Sequence, residues 1–414
     1  MKKLNYDIVI IGGGCAGMTA ALAAKEAGTD SILIIERSPY MGGVLRQCIH
    51  NGFGIHRFGE DLTGTEYAAK LLDLTKAAGI EYMTDTIVLD INEEHIVTAM
   101  NTGNLIKIQS QAVIIATGCR ERPRGALAIP GARPAGILTA GTAQRYMNLE
   151  GYLVGKKIVI LGSGDIGLIM ARQFVLEGAE VLAVVELQPY SSGLTRNIVQ
   201  CIQDFDIPLY FNTTVSRIEG EGRLTGVWLA EVDENKQIIP ETERYIACDS
   251  LILSVGLIPE NELAFQAGIS MDPVTGGPLV NDTYQTNISG IFACGNSLHV
   301  HDLADFVTLE SESAGKNAAL YVQGRLPAKV KSFAVENGFG VRGVVPQQIQ
   351  AGSEEEIKIQ FRPAAKYPDS YICAYCGDEL IYKKKHMILT PGEMCELKIS
   401  GNKITSNVKV QVEL

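Results

Sequence analysis

Three things are scarce in this chain of 414 residues: long apolar runs, positive charge, and cysteines at regular spacing. Its hydrophobic residues make up 46% of the total but fall in short runs, so no membrane span is expected. Lys and Arg number 36 against 47 Asp and Glu, and the formal net charge of −11 argues against nucleic acid and anionic membrane surfaces as partners. The nine cysteines are odd in number and scattered, which excludes a disulfide framework and makes a reducing cytoplasm the simplest location. The opening residues Met1-Lys2-Lys3-Leu4-Asn5 run directly into an expected strand, so no signal peptide is expected.

What the chain does have is glycine in a repeated pattern. Gly12-Gly13-Gly14-Cys15-Ala16-Gly17 and Gly162-Ser163-Gly164-Asp165-Ile166-Gly167 each follow an apolar strand and precede a helical stretch, residues 18–27 in the first case and 168–176 in the second. Each is answered about twenty residues later by an acid at the end of a further strand, Glu36 and Glu186. In such a fingerprint the first glycine makes the strand-to-helix turn. The second lets backbone approach a pyrophosphate, and the third allows close packing of helix on strand. Phosphates then sit at a helix N-terminus, where unpaired N–H groups and the helix dipole favour negative charge. One fingerprint also reads as a glycine-rich turn in an ordinary βαβ unit; two in matching context point to two dinucleotides.

Two further apolar strands end in glycine: Val113-Ile114-Ile115-Ala116-Thr117-Gly118 and Gly290-Ile291-Phe292-Ala293-Cys294-Gly295-Asn296. Each alone is equally a buried strand with a turn. In this order, over roughly four-fifths of its length, the chain resembles the two-dinucleotide flavoproteins of the pyridine nucleotide-disulfide oxidoreductase superfamily. The resemblance implies FAD at the first fingerprint and NAD(H) at the second. For FAD it implies Gly12, Gly14, Cys15, Ala16, Gly17, Glu36, Arg37, Gly43, Val44, Thr117, Gly118, Gly295 and Asn296; for NAD(H), Gly162, Gly164, Asp165, Ile166, Gly167, Glu186 and Gly256. Asn296 stands where the superfamily usually has Asp, and an amide can still donate and accept there.

Longer motifs narrow the resemblance. Residues 42–54, residues 117–125 and His299-Val300-His301-Asp302-Leu303 are similar to a subgroup that accompanies substrate dehydrogenases. It includes the oxidoreductase partner of bacterial flavin-dependent glycerol-3-phosphate dehydrogenase and related subunits of dye-linked proline dehydrogenase and opine oxidase. The implied partner is a second FAD-containing dehydrogenase subunit in a hetero-oligomer.

Cysteine use separates mechanisms within the superfamily. Disulfide reductases carry C-x4-C after the first acidic strand, and thioredoxin-reductase-like members carry C-x2-C in the nicotinamide domain. Here the first stretch holds only Cys48, and Cys201 and Cys248 are far apart. A dithiol relay is not expected. Cys48 and His50 are candidate flavin-proximal catalytic residues, with a merely packed thiol as the alternative. His299 and His301 either line the flavin cavity or serve as hydrogen-bond partners beside Asp302. Cys373 and Cys376 have metal-ligand spacing, with His386 and Cys395 further on, but alternation places them in a hairpin and no metal site is assigned.

The expected fold is α/β, with two Rossmann-like dinucleotide-binding domains, one nested in the other, plus a small C-terminal β domain. Residues 1–121 and 269–327 form the FAD domain, 122–268 the NAD domain and 328–414 the β domain. Ile357, Ile359 and Phe361, like Val408, Val410 and Val412, alternate with polar residues as half-buried strands do. The expected chemistry is hydride transfer between NADH and FAD, with electrons exchanged with the partner dehydrogenase. A free-standing NADH oxidase or ferredoxin-type reductase is the alternative.

Overall fold

The apolar run ending at Ile11 forms a strand, Lys2–Ile11, whose last four residues are buried hydrophobics. In the computed structural model, which describes residues 2–326, 331–352 and 356–414, this strand lies near the centre of a seven-stranded mixed sheet. It is flanked in parallel by Ile32–Ile35 and Asn104–Ile115, and Glu81–Met83 extends the sheet beyond Ile32–Ile35. Ile291–Ala293 pairs in parallel with the end of Asn104–Ile115, whose first half pairs antiparallel with Ile96–Asn101. All four residues of Ile32–Ile35 are buried, as in a parallel sheet covered on both faces.

Helices Cys15–Glu26 and Ala304–Val322 pack against this sheet and each other. Their closest approach is set by glycine: a Cβ on Gly315 would lie 2.1 Å from the Ala20 carbonyl oxygen. The second helix begins at Ala304 and so carries Asp305, Thr308 and Glu310 into the interior.

Two compact units emerge, Met1–Cys119 with Pro259–Leu414, and Arg120–Ile258. The inserted unit has its own five-stranded parallel sheet in the order Ile137–Thr139, Ser250–Leu253, Lys157–Leu161, Glu180–Val185, Leu209–Tyr210. A separate antiparallel sheet, Thr213–Gly220, Leu224–Glu231 and Arg244–Ile246, follows it.

Among the described residues of the tail, the regular elements are eight strands and one short 3-10 turn, Gly401–Lys403. Five strands make one sheet and three make another. The alternating residues Ile357, Ile359, Phe361, Val408, Val410 and Val412 share its core, and Gly377-Asp378 turns the hairpin in which Cys376 pairs with Glu379. The boundary expected at 327/328 lies outside the described residues. No helix among the described residues is long and apolar enough to cross a membrane.

Candidate functional site

In the first unit the turns after three parallel strands gather the sequence motifs at one edge. Ile11 is in register with Ile115, and Ile115 with Ala293. Gly12, Thr117-Gly118 and Gly295-Asn296 therefore leave the sheet side by side at its carboxyl edge, where open α/β sheets bind ligands.

The three fingerprint glycines divide as the chemistry requires. Gly12 has φ of +115°, and a Cβ there would lie 2.2 Å from the Ala116 oxygen. One on Gly17 would lie 1.8 Å from the Gly12 oxygen. Gly14, the N-cap of helix Cys15–Glu26, would meet nothing within 4 Å. The fold itself demands the first and third glycines; the second borders open space at a helix N-terminus, with Cys15 and buried Ala16 in the first turn. Open space at a helix N-terminus is where an anionic group such as a pyrophosphate would bind.

Glu36 is buried and held by backbone: Oε2 accepts from the Gly13 N–H at 2.7 Å and Oε1 from the Ser38 N–H at 2.8 Å. A carboxylate offers about four lone-pair sites, so these two bonds leave each oxygen able to take a ribose hydroxyl. Arg37 is exposed beside it. Gly43 and Val44 open the short turn Gly43–Gln47, and Val44 is 65% exposed although apolar.

Cys48 is buried, its Sγ donating to the Val44 oxygen at 3.5 Å. Burial pushes its thiol up to about 12, so at neutral pH it is not a thiolate. His50 is half-buried against the Phe53 ring at 5.1 Å, with Nδ1 3.1 Å from the Asn51 oxygen. The segment that follows is pinned by Asp305, which accepts from the Gly54 and His56 N–H groups at 3.0 and 2.8 Å.

Asn296 is oriented by its neighbours. Its Oδ1 accepts the His301 backbone N–H at 3.0 Å, leaving the amide NH2 as the donor end, 3.6 Å from Cys119 Sγ. His299 and His301 are buried and turn to Glu310 rather than to Asp302: His299 Nε2 lies 2.6 Å and His301 Nε2 3.2 Å from Glu310 Oε2. The other oxygen, Oε1, accepts from the Gly295 N–H at 2.7 Å. Burial alone would raise the Glu310 carboxyl, but the two imidazoles hold it well below the usual range, while burial lowers His299. Asp302 instead pairs with Arg362 of the β region and accepts from the Met394 N–H at 2.7 Å. Glu310, Asp305 and Arg362 were missed in the sequence. For Asp305 and Glu310 the available signal was acids at helical positions whose neighbours are apolar or small; Arg362, in the strand Glu356–Pro363, gave none.

The inserted unit repeats the device. Gly162 has φ of +98° with the Ser254 oxygen 2.0 Å from a hypothetical Cβ, and one on Gly167 would lie 2.7 Å from Ser254 Cβ. Gly164 caps helix Asp165–Leu176, whose first turn holds Asp165 and Ile166. Glu186 is buried, but Ser163 supplies both its N–H, at 2.9 Å, and its hydroxyl, at 2.6 Å, to Oε2, and Gln188 N–H bonds Oε1 at 2.9 Å. Free acceptor capacity is therefore concentrated on Oε1. Asp165 Oδ1 accepts from Leu194 N–H and Asn197 Nδ2 at 2.8 and 2.6 Å. Gly256 is exposed, its φ +94°.

In the β region Cys373, Cys376, His386 and Cys395 do not gather. His386 pairs with Ser370 and Cys376 with Glu379 along one hairpin, whereas Cys395 pairs with Phe361 in the other sheet.

The sequence profile described as Pyridine nucleotide-disulphide oxidoreductase matches residues 6–308. The chain belongs to that family. Enzymes of the pyridine nucleotide-disulphide oxidoreductase family use FAD and NAD(P)H, and this member is an oxidoreductase of that kind. It is 28% identical over 325 residues to thioredoxin reductase of Listeria monocytogenes, spanning 77% of this chain and 94% of that one. It is 28% identical to ferredoxin–NADP reductase of Leuconostoc citreum, spanning 77% and 92%. One of the subunits of opine oxidase from Agrobacterium tumefaciens is 23% identical over 70% of this chain, which spans 61% of that protein. Among solved structures, thioredoxin reductase of T. acidophilum superposes with a TM-score of 0.63 at 22% identity, over 77% of this chain and 99% of that one. L-proline dehydrogenase from P. horikoshii does so with 0.53 at 20%, over 76% and 55%.

Proposed function

We propose that this oxidoreductase exchanges hydride between NADH and FAD and passes electrons to or from a second flavoprotein, a glycerol-3-phosphate-oxidising dehydrogenase. The observation that carries the first half is the doubled fingerprint with two buried acids, Glu36 and Glu186. What supports the second half is the cysteine count: neither acidic strand nor nicotinamide unit supplies the thiol pair that a disulfide reductase needs, and Cys48 is a buried, protonated thiol. Electrons must leave by another route, and the likeness to one component of opine oxidase favours a docked dehydrogenase.

Hydride and electron exchange are the flavin's own chemistry; the chain supplies position and electrostatics. Gly12, Gly14 and Gly17, with the first turn at Cys15 and Ala16, cradle the FAD pyrophosphate, and Glu36 takes the ribose. Arg37, Gly43, Val44, Thr117 and Gly118 line the remainder, and Asn296 presents its NH2 as a donor where a carboxylate would accept. Gly162, Gly164 and Gly167, with Asp165 and Ile166, form the nicotinamide dinucleotide's turn, Gly256 bounds it, and Glu186 reads the adenine ribose. A 2′-phosphate there would meet a buried carboxylate, so NADH is the preferred partner.

Co-purification from the native host tests this reading. A flavin-containing dehydrogenase should accompany the chain, and glycerol-3-phosphate should bleach the complex anaerobically. The 28% likeness to a ferredoxin–NADP reductase favours a second reading, a free-standing reductase. Recovery of the chain alone, with full turnover on a small acceptor protein, would select it.

A further inference from the structure

The group His299, His301 and Glu310 has no role in the chemistry above, yet it is the one gathering of potential metal ligands found among the described residues, with ligand atoms all within 4.8 Å of one another. Their side chains are 5%, 0% and 0% exposed. The hydrogen bonds around them fix protons in an unusual way. Asn296 Oδ1 is pinned as an acceptor by the His301 backbone N–H at 3.0 Å, and His301 Nδ1 lies 3.3 Å from the same oxygen. Nδ1 must then carry the hydrogen, which in a neutral ring leaves Nε2 with a lone pair. That lone pair faces Glu310 Oε2 at 3.2 Å, and Nε2 is buried with no hydrogen-bond partner. Two acceptors so placed repel each other unless a proton or a metal ion lies between them, the first giving an imidazolium–carboxylate contact and the second a coordinated pair. Among the described residues, the ion pairs that reach Glu310 come from His299 and His301, and buried charges are paired or bind metal.

The geometry points to a divalent transition-metal site of the zinc class, ligated by His299 Nε2, His301 Nε2 and Glu310 Oε2. Two imidazoles and one carboxylate with a further position open is a ligand set zinc accepts, at about 2.0–2.2 Å per bond. Tetrahedral bonds of that length place ligand atoms roughly 3.4 Å apart. The His301–Glu310 separation of 3.2 Å is already near this, and the His299–Glu310 separation of 2.6 Å has to open by less than an ångström. The outer contacts match a metal site as well: the second ring nitrogen of His301 meets an amide oxygen, and Glu310 Oε1 takes the Gly295 N–H. The ion would tie helix Ala304–Val322 to the loop that carries Asn296.

The test is elemental analysis of the tag-free, FAD-loaded full chain, as purified and after incubation with Zn2+ and desalting, with X-ray absorption on the metal. About one ion per chain is expected, with only nitrogen and oxygen ligands, including two imidazoles. His301→Ala and Glu310→Gln should each lower retention at least tenfold, whereas Cys373→Ser should leave it unchanged. A metal-free wild type at full flavin content would overturn the proposal, and so would sulfur ligation, or retention in the first two variants. NMR showing His301 protonated on both nitrogens would overturn it too. If either variant fails to fold, the wild-type absorption spectrum still decides.

Discussion

The two fingerprints make the same turn and differ in what they place beside the second glycine. In the first, Gly14 borders open space, Cys15 is uncharged, and Glu36 spends one bond on each oxygen. In the second, the nearest groups to a Cβ on Gly164 are the Ser254 and Ser192 hydroxyls at 3.6 and 3.7 Å. Asp165 stands in the first turn, and Ser163 fills Oε2 of Glu186 with two donors. A carboxylate at a helix N-terminus takes up part of the dipole that a pyrophosphate would use. On the proposed assignment, the first site would hold its dinucleotide more firmly than the second. A permanent flavin and an exchanging nicotinamide need that asymmetry.

The largest effects should come from breaking one turn at a time. Gly12→Ala sets a methyl against the Ala116 oxygen, and the purified protein should retain less than about a tenth of its flavin; Gly162→Ala, blocked by the Ser254 oxygen, should stay fully yellow but lose NADH-driven bleaching at least tenfold. Flavin content and anaerobic stopped-flow traces separate the two. If both variants lost flavin equally, the assignment of one dinucleotide to each unit would be wrong.

Charge at Glu186 comes next. Wild type should favour NADH over NADPH by more than about fivefold, and Glu186→Gln should narrow that ratio by removing roughly 1 kcal/mol of repulsion. Equal reduction rates in wild type would contradict the role given to Glu186. Asp165→Asn should act more gently, tightening NADH binding by about two- to fivefold, since a carboxylate at a helix start is worth roughly 0.3–1 kcal/mol. Weaker binding would mean that its bonds to Leu194 and Asn197 matter more than its charge. The smallest effect belongs to Cys48→Ser. With its thiol raised to about 12, Cys48 stays protonated through pH 8, so flavin reduction should remain within a few-fold of wild type and alkylation of this thiol should be slow.

The fingerprints were legible in the sequence because their requirement is local: a left-handed turn and two close approaches leave room only for glycine. Alternation at Ile357, Ile359 and Phe361 was legible for the same reason, since a strand's period is fixed by its backbone. The His299–His301–Glu310 group was not, because it depends on a helix starting at Ala304 and on a loop that folds back through Asn296. Nor was Ser163's grip on Glu186, a contact across 23 positions that no spacing rule encodes. In both cases the residue types were visible and the partners were not.

The central claim is that electrons pass between a nicotinamide and FAD with no thiol pair in between. Anaerobic titration of the purified enzyme counts them directly. NADH should bleach the flavin at about one equivalent per FAD, and dithionite should deliver about two electrons per FAD in wild type and in Cys48→Ser alike. A reproducible count near four in wild type that falls to two in the variant, or a flavin that NADH leaves oxidised, would contradict it.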